Sequence, residues 1–322
     1  MGRSMWIMVV FIGAVMSAFL CADGCRSLDV SVGWRSDQLN WKTSAQGHRC
    51  APGRARSHLL FKDIDSYTVS GTARWAGAAY YVRLAAEYGW TEKGRAREDF
   101  RLRSPLLYCP VEVQTSDPVK RHSEVYDFNG AVGYPFRFCH SRLWVAPLIG
   151  FSFHRQHLRV KGERHESSGS SSFCLSYCNP FVSAYSSNPF ADSSDPTIAS
   201  KLGFCTDHRT SSYRFTWYGF YLGADVVYLI DEVWTLFAEL EGHCFDQCHR
   251  KRHSCTGVDF VDQDHKKGWA YGCNGVFGTT YYMINGWYTI LSVDAKWWKS
   301  NAKHDDLTWK NVGVKVGVGY LF

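Results

Sequence analysis

Ten stretches of the chain alternate, residue by residue, between an uncharged face and a polar one, and any fold must give those faces different surroundings. A period of two is that of a β-strand, whose successive side chains leave opposite sides of the sheet. Leu28, Val30, Val32 and Trp34 oppose Asp29, Ser31 and Arg35. Tyr67, Val69 and Ala73 oppose Thr68, Ser70 and Arg74; Val82, Leu84, Tyr88 and Trp90 oppose Arg83 and Glu87. The pattern recurs in 126–136, 143–153, 218–228, 234–243, 271–282, 287–297 and 311–322, and is weakest at 271–282. The apolar faces hold no Asp, Glu, Lys or Arg. The opposite faces hold twelve: Asp29, Arg35, Arg74, Arg83, Glu87, Asp127, Asp225, Glu239, Glu241, Asp294, Lys296 and Lys315.

Two architectures produce such alternation. In a soluble sandwich the apolar faces would meet inside, but here they are crowded with Trp, Tyr and Phe, which make up 16% of the chain and are too bulky to share a small interior. In an outer-membrane barrel the apolar face meets lipid and the charged face lines the lumen. A Lys or Arg facing mid-bilayer costs roughly 2–4 kcal/mol, a physical reason for its absence from those faces. Trp34, Trp90, Trp234, Trp287, Trp297, Tyr320 and Phe322 fall near segment ends, where interfacial girdles belong. Long connections at 43–57, 93–121, 160–211, 248–267 and 300–307 alternate with short turns at 75–78, 140–141, 230–232 and 284–286; in the last of these, Asn285-Gly286 is a hairpin signal by itself. The expected fold is an all-β transmembrane antiparallel barrel of about ten strands, with long extracellular loops and short periplasmic turns, over residues 25–322. Aromatic content on this scale excludes a disordered chain, and a net charge of +6 without a basic arm gives no support for nucleic-acid binding.

Arg3 followed by the apolar run Met5 to Leu20, with Ala22-Asp23-Gly24 as cleavage site, predicts a signal peptide over 1–24. Of the 12 Cys, loss of Cys21 leaves an odd number in an exported chain, which predicts disulfides and at least one thiol free, lipidated or paired with another molecule. Cys50, Cys109, Cys174, Cys178, Cys205, Cys244, Cys248, Cys255 and Cys273 are the loop disulfide candidates, all expected at or above the outer rim; Cys139 is expected at a periplasmic turn. His243, His249, His253 and His265 near three of these cysteines raise a zinc reading, but the spacings match no standard site, so no metal and no cofactor is expected.

The terminal Val316-Gly317-Val318-Gly319-Tyr320-Leu321-Phe322 resembles the aromatic-ended last strand of bacterial outer-membrane barrels. Gly33-Trp34-Arg35-Ser36-Asp37-Gln38-Leu39-Asn40-Trp41, Lys62-Asp63-Ile64 with Tyr67, Val125-Tyr126-Asp127-Phe128 with Gly133-Tyr134, and Ala146 to Ser152 with Gln156-His157-Leu158-Arg159 follow in order. On these stretches the chain resembles the Protochlamydia outer membrane protein family, porin-like barrels of chlamydiae. The resemblance implies a barrel in the bacterial outer membrane with a porin-like or a surface structural and interaction role.

Ten strands with long outer loops are also similar to omptins, the outer-membrane proteases. That likeness implies an acidic pair facing an Asp–His pair at the rim, to activate a water. Glu98-Asp99 and Asp246 with His249 are the candidates, although the omptin acidic motif is not reproduced; the expectation is that the chain is not an enzyme. The twelve lumen residues, seven acids against five bases, either form a salt-bridged plug or line a conduit. Inward Tyr221, Phe237 and Tyr288 favour a largely closed bore of low conductance. Expected partners are outer-membrane lipid and lipopolysaccharide, the latter through Arg250-Lys251-Arg252 and Lys266-Lys267, and other envelope proteins through disulfide cross-links.

Overall fold

A computed structural model describes residues 25–46, 54–103, 111–119, 123–139, 142–161, 210–253, 266–302 and 305–322. The predicted signal peptide, the turn residues His140-Ser141, and Cys50, Cys109, Cys174, Cys178, Cys205 and Cys255 lie outside them, as do the side chains of Arg250-Lys251-Arg252 and Lys266-Lys267.

The wall is built from β1 (Cys25–Gln46), β2 (Arg54–Ala76), β3 (Tyr81–Arg103), β5 (Glu124–Gly133), β7 (Leu143–Lys161), β8 (Thr210–Leu229), β9 (Trp234–His253), β10 (Lys266–Tyr282), β11 (Trp287–Ala302) and β12 (Asp305–Leu321). Neighbours pair antiparallel in that order, and β1 pairs both β2 and β12, so the sheet closes into a ten-strand barrel with no free edge. Two short strands are additions. β4 (Val111–Pro118) pairs the distal end of β3, where β5 no longer reaches. β6 (Phe136–Phe138) continues the path of β5 along β7 after Tyr134-Pro135. The predicted segment 126–136 is thus interrupted at Pro135, whose nitrogen cannot donate to the ladder.

Every predicted segment is found in the wall, but the strands are longer than predicted. Positions assigned to loops at 43–46, 54–57, 93–103, 248–253 and 300–302 are strand. The polarity of the alternation inverts partway up the barrel, which is why those stretches read as loops. On β8, Leu222 and Phe220 face outward and Asp225 and Tyr221 inward; farther up, outward positions become Thr216, Arg214 and Ser212, and inward ones Trp217, Phe215 and Tyr213. On β1, Val30, Val32 and Trp34 outside give way to Gln38, Asn40 and Lys42, while Arg35 and Asp37 inside give way to Leu39 and Trp41. The facing of each strand is continuous; what changes is the medium outside, from hydrocarbon to water. Once water covers the outer face, the apolar residues must turn inward to be buried.

Aromatic contacts mark both interfaces. Trp234 against Tyr281, with ring centroids 4.8 Å apart, and Trp287 against Tyr320, at 5.2 Å, ring the periplasmic end. Tyr67 with Trp90 and Tyr271 with Trp297 ring the outer end. The three-residue turn Ile284–Gly286 between β10 and β11, closed by Met283 N donating to Trp287 O at 2.7 Å, has Asn285 (φ 64°) and Gly286 (φ 81°) in the left-handed region that these two residue types adopt most readily.

Candidate functional site

The interior is the candidate site, and strand alternation builds it. Inward positions within the membrane zone bring all twelve predicted lumen charges into a lattice of two ion-pair clusters, one centred on Arg35 and one on Arg83 and Arg74. Arg35, buried on β1, donates to Asp37 Oδ1 and Glu87 Oε1, both at 2.8 Å, and to Asp127 Oδ2 at 3.1 Å. Arg83 on β3 donates to Asp225 Oδ1 at 2.6 Å and Glu239 Oε2 at 2.7 Å, and it also pairs with Glu241. Arg74 bridges Asp29 and Glu239, each at 2.6 Å. Lys296 reaches Asp127 at 2.6 Å; Lys315 pairs with Glu87 and lies 3.4 Å from Asp294. The lumen charges thus pair with one another across the bore.

Neutral groups complete the lattice. Tyr81 Oη donates to Asp225 Oδ2 at 2.6 Å, Asn129 Nδ2 to Glu241 Oε1 at 2.6 Å, and Asn274 Nδ2 to Glu241 Oε2 at 2.9 Å. Tyr221 Oη bonds to Asn129 and accepts from Arg83 Nη2 at 3.2 Å. A buried carboxylate left alone is expensive, and multivalent guanidinium partners offset that desolvation. Gly150 leaves room for the Tyr221 ring: a Cβ there would lie 2.3 Å from Cζ.

Above the lattice the bore holds a layer of packed rings. His154 stacks on Trp309 at 4.1 Å, Trp217 on Trp309 at 5.5 Å and Phe215 on Trp217 at 6.0 Å; Trp41 and Phe61 meet Phe215 edge-on. Leu39, Leu59, Ile64, Leu158 and Leu307 complete this fully enclosed cluster. Trp309 ties the two layers together. Its Nε1 donates to Asp37 Oδ1 at 3.0 Å, and Arg35 lies over its ring at 5.6 Å. The predicted lumen charges leave out Asp37 and His154, and His243 is weighed for zinc rather than for the lumen. His154 pairs with Asp127, and His243 Nε2 lies 3.4 Å from Glu241 Oε2. Asp37 and His154 sit just past the point of inversion, where the lipid-facing pattern no longer marks the strand.

The cysteine placement needs correcting. Cys244, Cys248 and Cys273 are carried by wall strands, not loops, and Cys244 and Cys273 form no disulfide among the described residues. Cys248 is buried in the aromatic cluster. Cys244 and Cys273 are exposed on the barrel's outside, on adjacent strands, with Cys273 directly beside Trp297 of the outer girdle. Cys139 is exposed in the β6–β7 turn, as expected.

Of the protease candidates, Glu98 and Asp99 are the two whose side chains the structure describes. Glu98 and Asp99 are successive residues of β3, so their side chains leave opposite faces. Glu98 accepts from Ser57 Oγ at 2.8 Å, whereas Asp99 faces outward beside Arg97, 3.4 Å away. They do not form one acidic pair. Asp246 and His249 lie on β9 in register with Ala270 and Thr216 respectively; their side chains are outside the described residues.

Comparison with known proteins agrees with this architecture. The family model for the Protochlamydia outer membrane protein matches residues 29–320. Among solved structures, the outer membrane protease OmpT from Escherichia coli is similar at 10% identity, with 94% of this chain and 99% of that chain covered and a TM-score of 0.63. At that identity the likeness shows the fold alone. The attachment invasion locus protein Ail of Yersinia pestis, at 10% identity over 94% of this chain and 100% of its own, has a TM-score of 0.26. The translocator domain of the autotransporter NalP from Neisseria meningitidis, at 11% identity over 98% and 96%, has a TM-score of 0.30. No curated protein matches the sequence.

Proposed function

The chain belongs to the Protochlamydia outer membrane protein family, and from that premise we propose that this outer-membrane β-barrel is a surface structural and interaction protein of the bacterial envelope with a bore closed to general diffusion. One observation carries the reading: the lumen is occupied twice over, by the ion-pair lattice and by the aromatic cluster above it. Ten strands enclose a bore between those of side-chain-filled and water-filled barrels, so its contents decide whether it conducts. In planar bilayers the protein should give no large, stable single-channel currents; such currents would overturn the proposal in favour of a porin.

Cys244 and Cys273 support disulfide cross-links to other envelope proteins, because both thiols face outward from the wall. Envelopes run on non-reducing gels should show this chain in higher-mass species that a C244S/C273S variant reduces or loses. Species unchanged in the variant would leave the remaining cysteines to account for them. The alternative reading, an omptin-like hydrolase at the rim, keeps Asp246 and His249 but loses Glu98-Asp99 as its acidic pair. Peptide cleavage by the reconstituted protein, abolished by both Asp246→Ala and His249→Ala, would establish that alternative.

A further inference from the structure

Outward positions along β7 run Ile149, Phe151, Phe153 and then Arg155, His157, Arg159; along β8 they run Leu222, Phe220, Tyr218 and then Thr216, Arg214, Ser212. Pairing sets Phe153 beside Tyr218, Arg155 beside Thr216, His157 beside Arg214 and Arg159 beside Ser212. Arg214 therefore lies directly across from His157, with Arg155 and Arg159 on its diagonals, a spacing of about 7–8 Å between backbones. Three guanidinium groups converge on one patch of the wall.

Glu124 on β5, in register with His157, is the one described acid whose charge bears on the patch, and it forms no ion pair with the arginines. Among the described residues no carboxylate lies within ion-pair distance of Arg155, Arg159 or Arg214, and the Nε atoms of Arg155 and Arg214 are shielded from solvent without a hydrogen-bond partner. The nearest acid in register, Glu124 on β5, accepts from Tyr126 Oη at 2.9 Å. His157 Nε2 is 2.8 Å from Ser212 Oγ. Burial, and then the charges of Arg159 and Arg214, lower the His157 pKa; burial and Arg155 lower that of Arg214. Elsewhere on the rim Lys93 pairs with Asp65 at 3.0 Å and Arg97 with Asp99 at 3.4 Å, whereas Lys42, Lys62 and Lys310 stand singly and, among the described residues, also lack an ion pair. Like charges gathered without counter-charges are unfavourable unless an anion joins them.

The patch's height and floor identify that anion. Arg155 follows Phe153, the last outward aromatic residue of β7, by two residues, about 7 Å along the strand; on a strand tilted by roughly 35–45° that is about 5 Å farther from the hydrocarbon, toward the headgroups. The planar guanidinium fork matches phosphate oxygens. Below it, Phe153 and Tyr218 stand side by side and Phe151 meets Phe220 edge-on at 5.6 Å, an apolar surface continuous with the hydrocarbon zone. We infer that Arg155, Arg159 and Arg214 form a binding site for a phosphate-bearing lipid headgroup of the outer leaflet. A free phosphate would use the arginines but leave the aromatic floor unused.

The test uses the full chain in detergent, offered phosphorylated lipid A or its enzymatically dephosphorylated form, with bound lipid counted by native mass spectrometry. The protein should retain the phosphorylated lipid, and an R155A/R159A/R214A variant should bind it about tenfold more weakly. A charge-matched K42A/K62A/K310A variant, altered at exposed outer-rim positions away from the patch, should bind like the parent. Heat-modifiable gel mobility reports folding; should the triple variant not fold, R159A, which alters the most exposed of the three, carries the test with an expected loss of about threefold. Equal retention by parent and arginine variant, equal binding of the dephosphorylated lipid, or equal loss in the charge-matched control would overturn the site. Displacement of the lipid by millimolar inorganic phosphate would overturn the lipid source.

Discussion

Arg83 holds three carboxylates at once, those of Asp225, Glu239 and Glu241, and is itself almost wholly enclosed. Replacing it by Ala leaves those charges without their shared partner in the bore. Arg83→Ala should therefore destabilise the barrel by about 3–5 kcal/mol, read as a lower urea midpoint in gel-mobility unfolding. An unchanged midpoint would mean that water reaches the lattice freely. Gly150 poses the converse constraint. Gly150→Ala drives a methyl into the Tyr221 ring and pushes its hydroxyl off Asn129 and Arg83. A loss of about 1–3 kcal/mol is expected in the same assay. At this scale the sequence revealed which charges face inward but not their partners: Arg83 and Glu241 are 158 residues apart and meet only once the sheet closes.

At the scale of the strand, β8 displays two solvents on one outer face. Leu222 is 69% exposed in the lipid zone, whereas Thr216, six residues farther along the same face, lies in the water-facing zone. Leu222→Arg should cost about 2–4 kcal/mol in refolding into lipid vesicles, and Thr216→Arg close to nothing. Equal costs would refute the inversion. All ten membrane segments were legible because a lipid-facing strand tolerates no charge, which leaves a clean alternation. The distal halves were not legible as strand. There the apolar phase moves to the other face, and Gln38-Leu39-Asn40-Trp41, beyond the predicted alternation, is β1 turning Leu39 and Trp41 inward. The β3 carboxylates were misjudged for the same reason: in a loop Glu98 and Asp99 could share a cleft, but in a strand they cannot.

For the whole molecule, the two interior layers act in series, so opening one should not open the bore. A W217A/W309A variant removes two stacked rings of the stopper and should lose stability, about 3–5 kcal/mol for each Trp if their effects are independent. It should still give no steady current in planar bilayers, because the Arg35 and Arg83 lattices remain beneath. Steady conductance from that variant would locate the seal in the aromatic layer alone.

Period, facing and the identity of the two solvents are local properties. Ten uncharged faces and the Asn285-Gly286 turn were sufficient to specify a membrane barrel and its hairpins from the chain alone. Which charges pair, whether the bore is filled, and where thiols and arginines gather on the wall depend on closure and on the register between strands distant in sequence. Those relations exist only in the assembled sheet: alternation tells each side chain which way to face, but only the finished cylinder determines what it meets there.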